Sequence, residues 1–350
     1  MGIGDVVRGT VNFVSGGYLD RQKANEIKEH ADWKRESTID ELEITKEETN
    51  QNILELGSLK QNVYQQSIND FVKHYEIIGK VDLKPLKESK FLDYENFQAD
   101  LVEMKVVTAT LKELGTVVGG GALIGASAAL GAMGTVALIG TASTGTAIGT
   151  LSGVAATNAT LAWLGGGTIS AGGLGVTGGM VVLGGIALAP VALFGMFLGA
   201  NKGKEILNEA YNYHDEIQVM IEKMTTLIAE LSQIRRGCDL MSKSIQGLDA
   251  LLKRYNLEMG KIVYRLEHRS ILSKKFIDPI KNKIFNISIL TNNEAMIFAT
   301  AANISAMLSE IIRMPLMNQE GAFINQSIEE LEKMQPQVEA LNSATKMSDL

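Results

Sequence analysis

Residues 217–266 read IQVMIEKMTTLIAELSQIRRGCDLMSKSIQGLDALLKRYNLEMGKIVYRL and carry apolar side chains at alternating intervals of three and four. This spacing is typical of the contact seam of a long helix, and the rise per residue predicts a rod of about 75 Å. Charged residues off the seam, Lys253 and Asp249 among them, are expected to face solvent. The seam positions are Ile217, Met220, Met224, Leu227, Leu231, Ile234, Cys238, Met241, Ile245, Leu248, Leu252, Tyr255, Met259, Ile262 and Leu266.

Helical spacing recurs on both sides of this rod. Apolar residues at 53–78, including Leu56, Leu59 and Val63, predict a first helix that breaks at 81–85, and a second helix is expected at about 92–114. After the rod we expect a helix at 295–312, buried in a bundle rather than spanning a membrane, and a last helix from about residue 323. Proline is expected to end helices. The prolines are Pro85, Pro190, Pro279, Pro315 and Pro336.

The composition favours helices throughout. Hydrophobic residues make up 45 % of the 350 residues and aromatic residues 6 %. We therefore predict an all-α fold, an elongated helical bundle or coiled coil with a central glycine- and alanine-rich hydrophobic helical hairpin. The net charge of −7 and the lack of a basic stripe argue against nucleic acid as a partner. Cys238, the single cysteine, falls on the seam and is expected to be a small core side chain.

Residues 114–201 contain no Asp, Glu, Lys, Arg or His, and 23 of the 35 glycines fall within them. We call this segment the apolar window. So many apolar side chains without a charge must be wrapped by protein or placed in lipid. The sequence thus divides into an N-terminal helical arm at 1–113, a membrane-inserting segment at 114–201, and a C-terminal long helix with bundle helices at 202–350.

Parts of the apolar window differ in what they can do in a bilayer. Residues 180–200 are the best candidate span, and 117–139 would insert only marginally alone. The Thr- and Asn-containing stretch at 145–164 needs an interior position. Both arms are charged, so two crossings with a turn near 165–173 are preferred over four or none.

Glycines four residues apart create a groove on a helix where another backbone can approach closely. The groove would serve close packing in an oligomer or, equally, packing within one chain. Residues assigned to membrane insertion or helix packing are Gly121, Gly125, Gly145, Gly149, Gly153, Asn158, Trp163, Gly175, Gly179, Pro190, Phe194, Gly195, Phe197 and Gly199.

Motifs for cofactors and catalysis are not convincing. The glycines at 173–178 match a dinucleotide fingerprint but lack a βαβ context, and the segment at 199–204 is one residue short of a phosphate loop. The four histidines lie far apart without metal-ligand spacing. We predict no catalytic, cofactor or metal site, no enzyme activity and no small-molecule substrate.

The block SGVAATNATLAWLGGGTISAGGLGVTGG at 152–179 resembles the core of a large group of largely uncharacterised bacterial helical proteins. It is also similar to the glycine-alanine membrane domain of the interferon-inducible glycine-rich membrane proteins. The layout of polar helices around an apolar hairpin resembles apolipoprotein L, colicin-type and cytolysin A-type α-helical pore formers. The resemblance implies a protein that shields its hairpin in a soluble form and then inserts it.

The sequence therefore predicts a non-enzymatic membrane-inserting protein of the pore-forming toxin or effector type. It would exist as a cytoplasmic soluble form and a membrane-associated form, since Asp5 stands where a secretory signal would carry positive charge. Its expected partners are the lipid bilayer and further copies of itself. The alternatives are a permanently anchored coiled-coil scaffold and a soluble bundle with a buried glycine-rich core.

Overall fold

The computed structural model describes residues 17–89, 92–117, 203–270, 274, 288–316 and 324–347. Within these ranges 91 % of the residues are helical and none is in a strand, which confirms the all-α fold class. The elongated form and the central hairpin stay predictions, because nearly all of the apolar window lies outside the described ranges.

The α-helices follow the predicted order. They are α1 (Tyr18–Val63), α2 (Asn69–Val81), α3 (Lys84–Lys87), α4 (Tyr94–Val117), α5 (Gly203–Glu267), α6 (Asn292–Arg313) and α7 (Asn325–Met347). A π-helical turn, Tyr64–Ile68, joins α1 to α2 without a break in the chain's helical course.

Helix α5 is 65 residues long and contains the whole predicted seam. All seam residues are buried except Leu227 and Tyr255, which are half-buried. The buried side chain of Cys238 confirms its prediction as a core residue. Burial of this face is the main stabilising contribution to such a helix, because propensity alone does not hold a long helix together in water.

Prolines mark helix boundaries at some of the predicted places but not at all of them. Pro85 lies in the first turn of α3, and Pro315 follows the end of α6. The prediction for Pro336 was wrong, because this residue lies inside α7. The interior proline costs about 3 kcal/mol in a helix. Leu331 and Val338 are buried on either side of it, and their packing offsets that cost. Pro190 and Pro279 lie outside the described residues.

The described chain divides into two compact units. Of the described residues, the first comprises 17–50 and 203–233. In it the N-terminal part of α1 packs against the start of α5 around buried Ala31, Leu42 and Ile217. The hydroxyl of Tyr213 on α5 donates to Asp32 Oδ1 on α1, and Arg35 Nη1 donates to the same hydroxyl at 3.2 Å.

Of the described residues, the second unit comprises 51–89, 92–117, 234–270, 274, 288–316 and 324–347. Its core contains an aromatic cluster from α2, α4 and α6. The ring centroids of Phe71 and Phe97 lie 6.3 Å apart, and Tyr75 lies 5.8 Å from both Phe97 and Phe298. Buried aromatic pairs at these separations add to the energy of area burial. Helix α6 packs in this core, as predicted for the segment at 295–312.

Within the second unit, α5 runs in the same direction as the π-helical turn and α2. Ser67 contacts Asp249. Further along both helices, His74 lies against Gly260, so the contacts advance in the same direction on each. Two parallel helices cannot be joined by a short turn. The chain that connects them must run back along their length to the end where the second helix starts, which we call the return passage. Helix α4 belongs to that passage.

A buried carboxylate fixes the break after α2. Asp82 is 1 % exposed, and its oxygens accept hydrogen bonds from Lys84 N at 3.0 Å, Ser288 Oγ at 2.6 Å and Ile289 N at 2.7 Å. Three donors satisfy a charge that would otherwise be costly to bury. This residue ties the start of α3 to the segment that precedes α6.

Candidate functional site

The residues predicted to insert into or pack within a membrane, from Gly121 to Gly199, all lie outside the described residues. The structure instead describes the two helices that border the apolar window. Helix α4 extends to Val117, within the first residues of the window, and α5 begins at Gly203, just after its end. The candidate functional site therefore consists of these borders and the contacts that hold them.

Helix α4 has two different faces. Leu101, Met104 and Leu111 are buried on the inner face, against the π-helical turn, α2 and α6. On the outer face, Val102 is 62 % exposed and Val106 is 47 % exposed. The core-facing side of α4 is thus already occupied by described residues, while apolar side chains also point outward on the helix that leads into the apolar window.

Helix α4 is tied to α6 by an arginine that binds two carboxylates. Arg313 Nη2 donates to Asp100 Oδ1 at 2.6 Å, and Arg313 Nη1 donates to Glu103 Oε2 at 3.0 Å. The two acceptors lie three residues apart, and therefore on the same face of α4. All three side chains are partly buried, so solvent screens this interaction less than an exposed pair. We call these residues the Arg313 bridge.

A buried polar contact lies close to the Arg313 bridge. The hydroxyls of Tyr64 and Ser309 are 3.3 Å apart, which joins the π-helical turn to α6. Burial raises the pKa of Tyr64 to about 12, so this phenol stays protonated and neutral over the whole physiological range. The turn, α4 and α6 are therefore connected through polar groups as well as through the aromatic cluster.

The other end of α6 is held by a second arginine. Arg265 on α5 donates from Nε to Glu294 Oε1 at 2.6 Å and from Nη2 to Oε2 at 2.7 Å. The same carboxylate closes a capping box with Thr291 at the start of α6. The sequence Thr291-Asn-Asn-Glu294 is a recognisable capping signal that places the helix start three residues earlier than we predicted.

The π-helical turn presents a polar cluster to α5. The N–H of Asn69 donates to the carbonyl of Tyr64, five residues back, which is the π-helical pattern. Ser67 Oγ donates to Asp249 Oδ1 at 2.5 Å, and Asn256 Nδ2 donates to the carbonyl of Ser67 at 2.8 Å. The turn is thereby fixed against α5 by hydrogen bonds.

The prediction that Asp249 faces solvent was wrong. This residue is 8 % exposed, and Lys253 Nζ lies 2.7 Å from its second oxygen. Sequence spacing placed it beside the apolar seam, but the seam cannot reveal that Ser67 on another helix supplies a hydrogen-bond donor. Lys253 is exposed, as predicted.

A cleft of about 270 Å³ opens beside this cluster, between the π-helical turn, α2 and α5. Burial lowers the pKa of His74 at its edge, an effect opposed in part by Asp70. The charged lining residues are Asp70, which pairs with Lys73, and Lys253, which pairs with Asp249, so each charge of the lining has a counter-charge beside it. Its lining residues are Gln66, Ser67, Asp70, His74, Lys253, Asn256 and Leu257.

Sequence reasoning also missed a buried lysine. Lys60 is completely buried, and its Nζ has no hydrogen-bond partner among the described residues. Burial lowers its pKa to about 7, while burial raises the pKa of the neighbouring Cys238 thiol to about 12. The available signal was the spacing, because position 60 continues the three-and-four pattern of Leu56 and Val63, whereas Leu59 is only half-buried.

The described residues contain no group of three or more His, Cys, Asp or Glu side chains that could hold a metal ion. Of the described helices, α6 alone is long and apolar enough to cross a membrane, and 56 % of its apolar stretch is buried within the protein. Comparison of the chain with protein families, curated proteins and solved structures finds no match. The family resemblances inferred from sequence therefore stay predictions.

Proposed function

We propose that this protein inserts the apolar window into a lipid bilayer, in the manner of an α-helical pore former, while its helical arms keep a water-soluble form folded. The observation that carries the proposal is the pairing of a charge-free segment of 88 residues with a helix, α4, whose inner face is already packed. The helix leading into the window does not need the window to complete its own core.

The free energy of burying apolar surface supports the proposal of membrane insertion. The inner face of α4 is covered by the π-helical turn, α2 and α6, with Phe71 of α2 against Phe97, so this face is not open to the window. Transfer of apolar surface from water contributes about 25 cal/mol per Å² whether the new environment is protein or lipid. A change of surroundings is then possible at modest net cost, and a bilayer offers the larger apolar volume.

The test uses the full-length chain, purified without detergent, and liposomes loaded with a fluorescent dye. We expect the protein to float with the vesicles and to release dye. Leu188→Arg places a charge in the middle of the best candidate span, which costs about 2.5–3.5 kcal/mol on insertion, so dye release should fall by at least tenfold. Leu188→Ile is the matched control and should behave like the unaltered protein.

The outcomes separate this proposal from its alternatives. A protein that requires detergent from the moment of synthesis would be a permanent anchor rather than an inserting protein. A detergent-free protein that neither floats with vesicles nor releases dye would exclude membrane insertion and favour a soluble bundle.

A further inference from the structure

We infer that the Arg313 bridge is a latch that retains α4, and hence the apolar window that follows it, in the water-soluble form. This inference rests on the proposed function for its role in the membrane, but the latch itself is defined by described residues. It assigns a regulatory contact to Asp100, Glu103 and Arg313.

The geometry of the bridge suits a latch. The guanidinium of Arg313 binds Asp100 at 2.6 Å and Glu103 at 3.0 Å with two different nitrogens, so both carboxylates must be released together. The arrangement fixes orientation as well as distance, which a lysine ammonium would do less well. Movement of α4 away from α6 breaks both hydrogen bonds in one step.

The position of the bridge matters more than its strength. Glu103 lies on α4 only about ten residues before the window begins, and Arg313 is the last residue of α6. The aromatic cluster around Phe97 holds the same half of α4, three residues before Asp100. A more exposed ion pair, Lys105 with Glu76 at 2.9 Å, joins α4 to α2. The Arg313 bridge is therefore a partly buried polar contact that must open when α4 leaves α6.

The chain offers a matched control for this interaction. Arg265 also binds a carboxylate of the α6 region with two nitrogens, at 2.6 and 2.7 Å from Glu294, but it joins α6 to α5. Removal of either arginine disrupts one end of α6 by the same chemistry. Of the two arginines, only Arg313 binds carboxylates of α4.

The experiment compares Arg313→Met with Arg265→Met in two measurements. Amide hydrogen exchange in solution, without lipid, reports the opening of α4. We expect exchange of residues 94–117 to rise about tenfold in Arg313→Met, because hydrogen bonds to charged groups are lost, and to change little in Arg265→Met. Dye release from liposomes should accelerate in the same order.

A second variant guards against misfolding. Asp100→Asn with Glu103→Gln removes the charges from the other side of the bridge while keeping side-chain size, and it should reproduce the effect of Arg313→Met. Equal exchange of α4 in the Arg313 and Arg265 variants would overturn the latch. Faster exchange of α4 with no dye release from any variant would retain the contact but overturn its role in insertion, together with the proposed function.

Discussion

Lys60 illustrates how a single side chain can work against the stability of the helix pair that contains it. A charged ammonium loses its hydration on burial, and only a nearby acceptor or counter-charge can replace it. The described surroundings of Lys60 provide neither, and the buried thiol of Cys238 stays protonated. The lowered pKa is the measurable consequence.

We predict that Lys60→Met stabilises the protein in a pH-dependent way. The folded-state pKa of about 7 lies below the ordinary value of 10.5, so between these values the unfolded chain binds a proton that the folded chain does not. The penalty is absent above pH 10.5, grows as the pH falls to about 7 and is constant below that, at roughly 5 kcal/mol. Urea unfolding at pH 6, 8 and 10 measures the gain.

The control is Lys73→Met, which alters an exposed lysine paired with Asp70. It should change the free energy of unfolding by less than about 1 kcal/mol at each pH. A gain for Lys60→Met that is the same at pH 6 and pH 10 would show that better packing, rather than the buried charge, is responsible.

The surroundings of individual side chains were the least predictable part of the structure. The seam correctly placed Cys238 in the core, because burial on a helix follows its periodicity. It misplaced Asp249, because periodicity describes one helix and does not reveal that Ser67, 182 residues away, supplies a hydrogen-bond donor. Lys60 does continue the spacing of Leu56 and Val63, but a lysine at such a position is ordinarily expected to face solvent.

At the scale of helices, sequence signals performed well where they were local. The break at 81–85, the end of α6 before Pro315 and the long course of α5 all agree with the prediction. Pro336 is the exception, because packing of α7 on both sides of the proline outweighs its local preference. The π-helical turn had no signal in the sequence, and only the structure locates it.

We predict that Pro336→Ala stabilises α7. Alanine restores the missing backbone hydrogen-bond donor and removes the ring clash, for a gain of up to about 3 kcal/mol. Thermal unfolding followed by circular dichroism should show a higher midpoint. Pro85→Ala, in the first turn of α3, should give no comparable gain, because proline is tolerated there. A fall in the midpoint for Pro336→Ala would mean that α7 depends on a kink.

At the scale of the whole molecule, the helical class could be predicted from composition and spacing, but the return passage of the chain could not. Two helices with matching seams can pack in either direction, and the parallel arrangement of α5 with α2 emerges from contacts such as Asn256 with Ser67. The apolar window remains the part for which sequence alone carries the functional argument.

We predict that Gly149→Leu reduces assembly in the membrane without altering the described arms. The larger side chain fills the predicted groove formed with Gly145 and Gly153. Chemical cross-linking in liposomes should therefore yield fewer oligomers, while the free energy of unfolding in water stays the same. Ala147→Leu adds similar bulk away from the glycine row and should assemble normally. A large loss of stability in water for Gly149→Leu would favour a soluble bundle with a buried glycine-rich core.

The parallel pairing of α5 with the N-terminal helices also sets the order of events during synthesis. Ser67 and Asp249 are 182 residues apart, and Lys34 and Gln218 are 184 apart. At translation rates of about 5–20 residues per second, the α5 residues are synthesised on the order of ten seconds or more after the α1 residues that they contact. The apolar window leaves the ribosome during that interval, before its neighbours have gained their helical partner. A chaperone or a membrane that meets the nascent chain therefore has access to the window ahead of the finished fold.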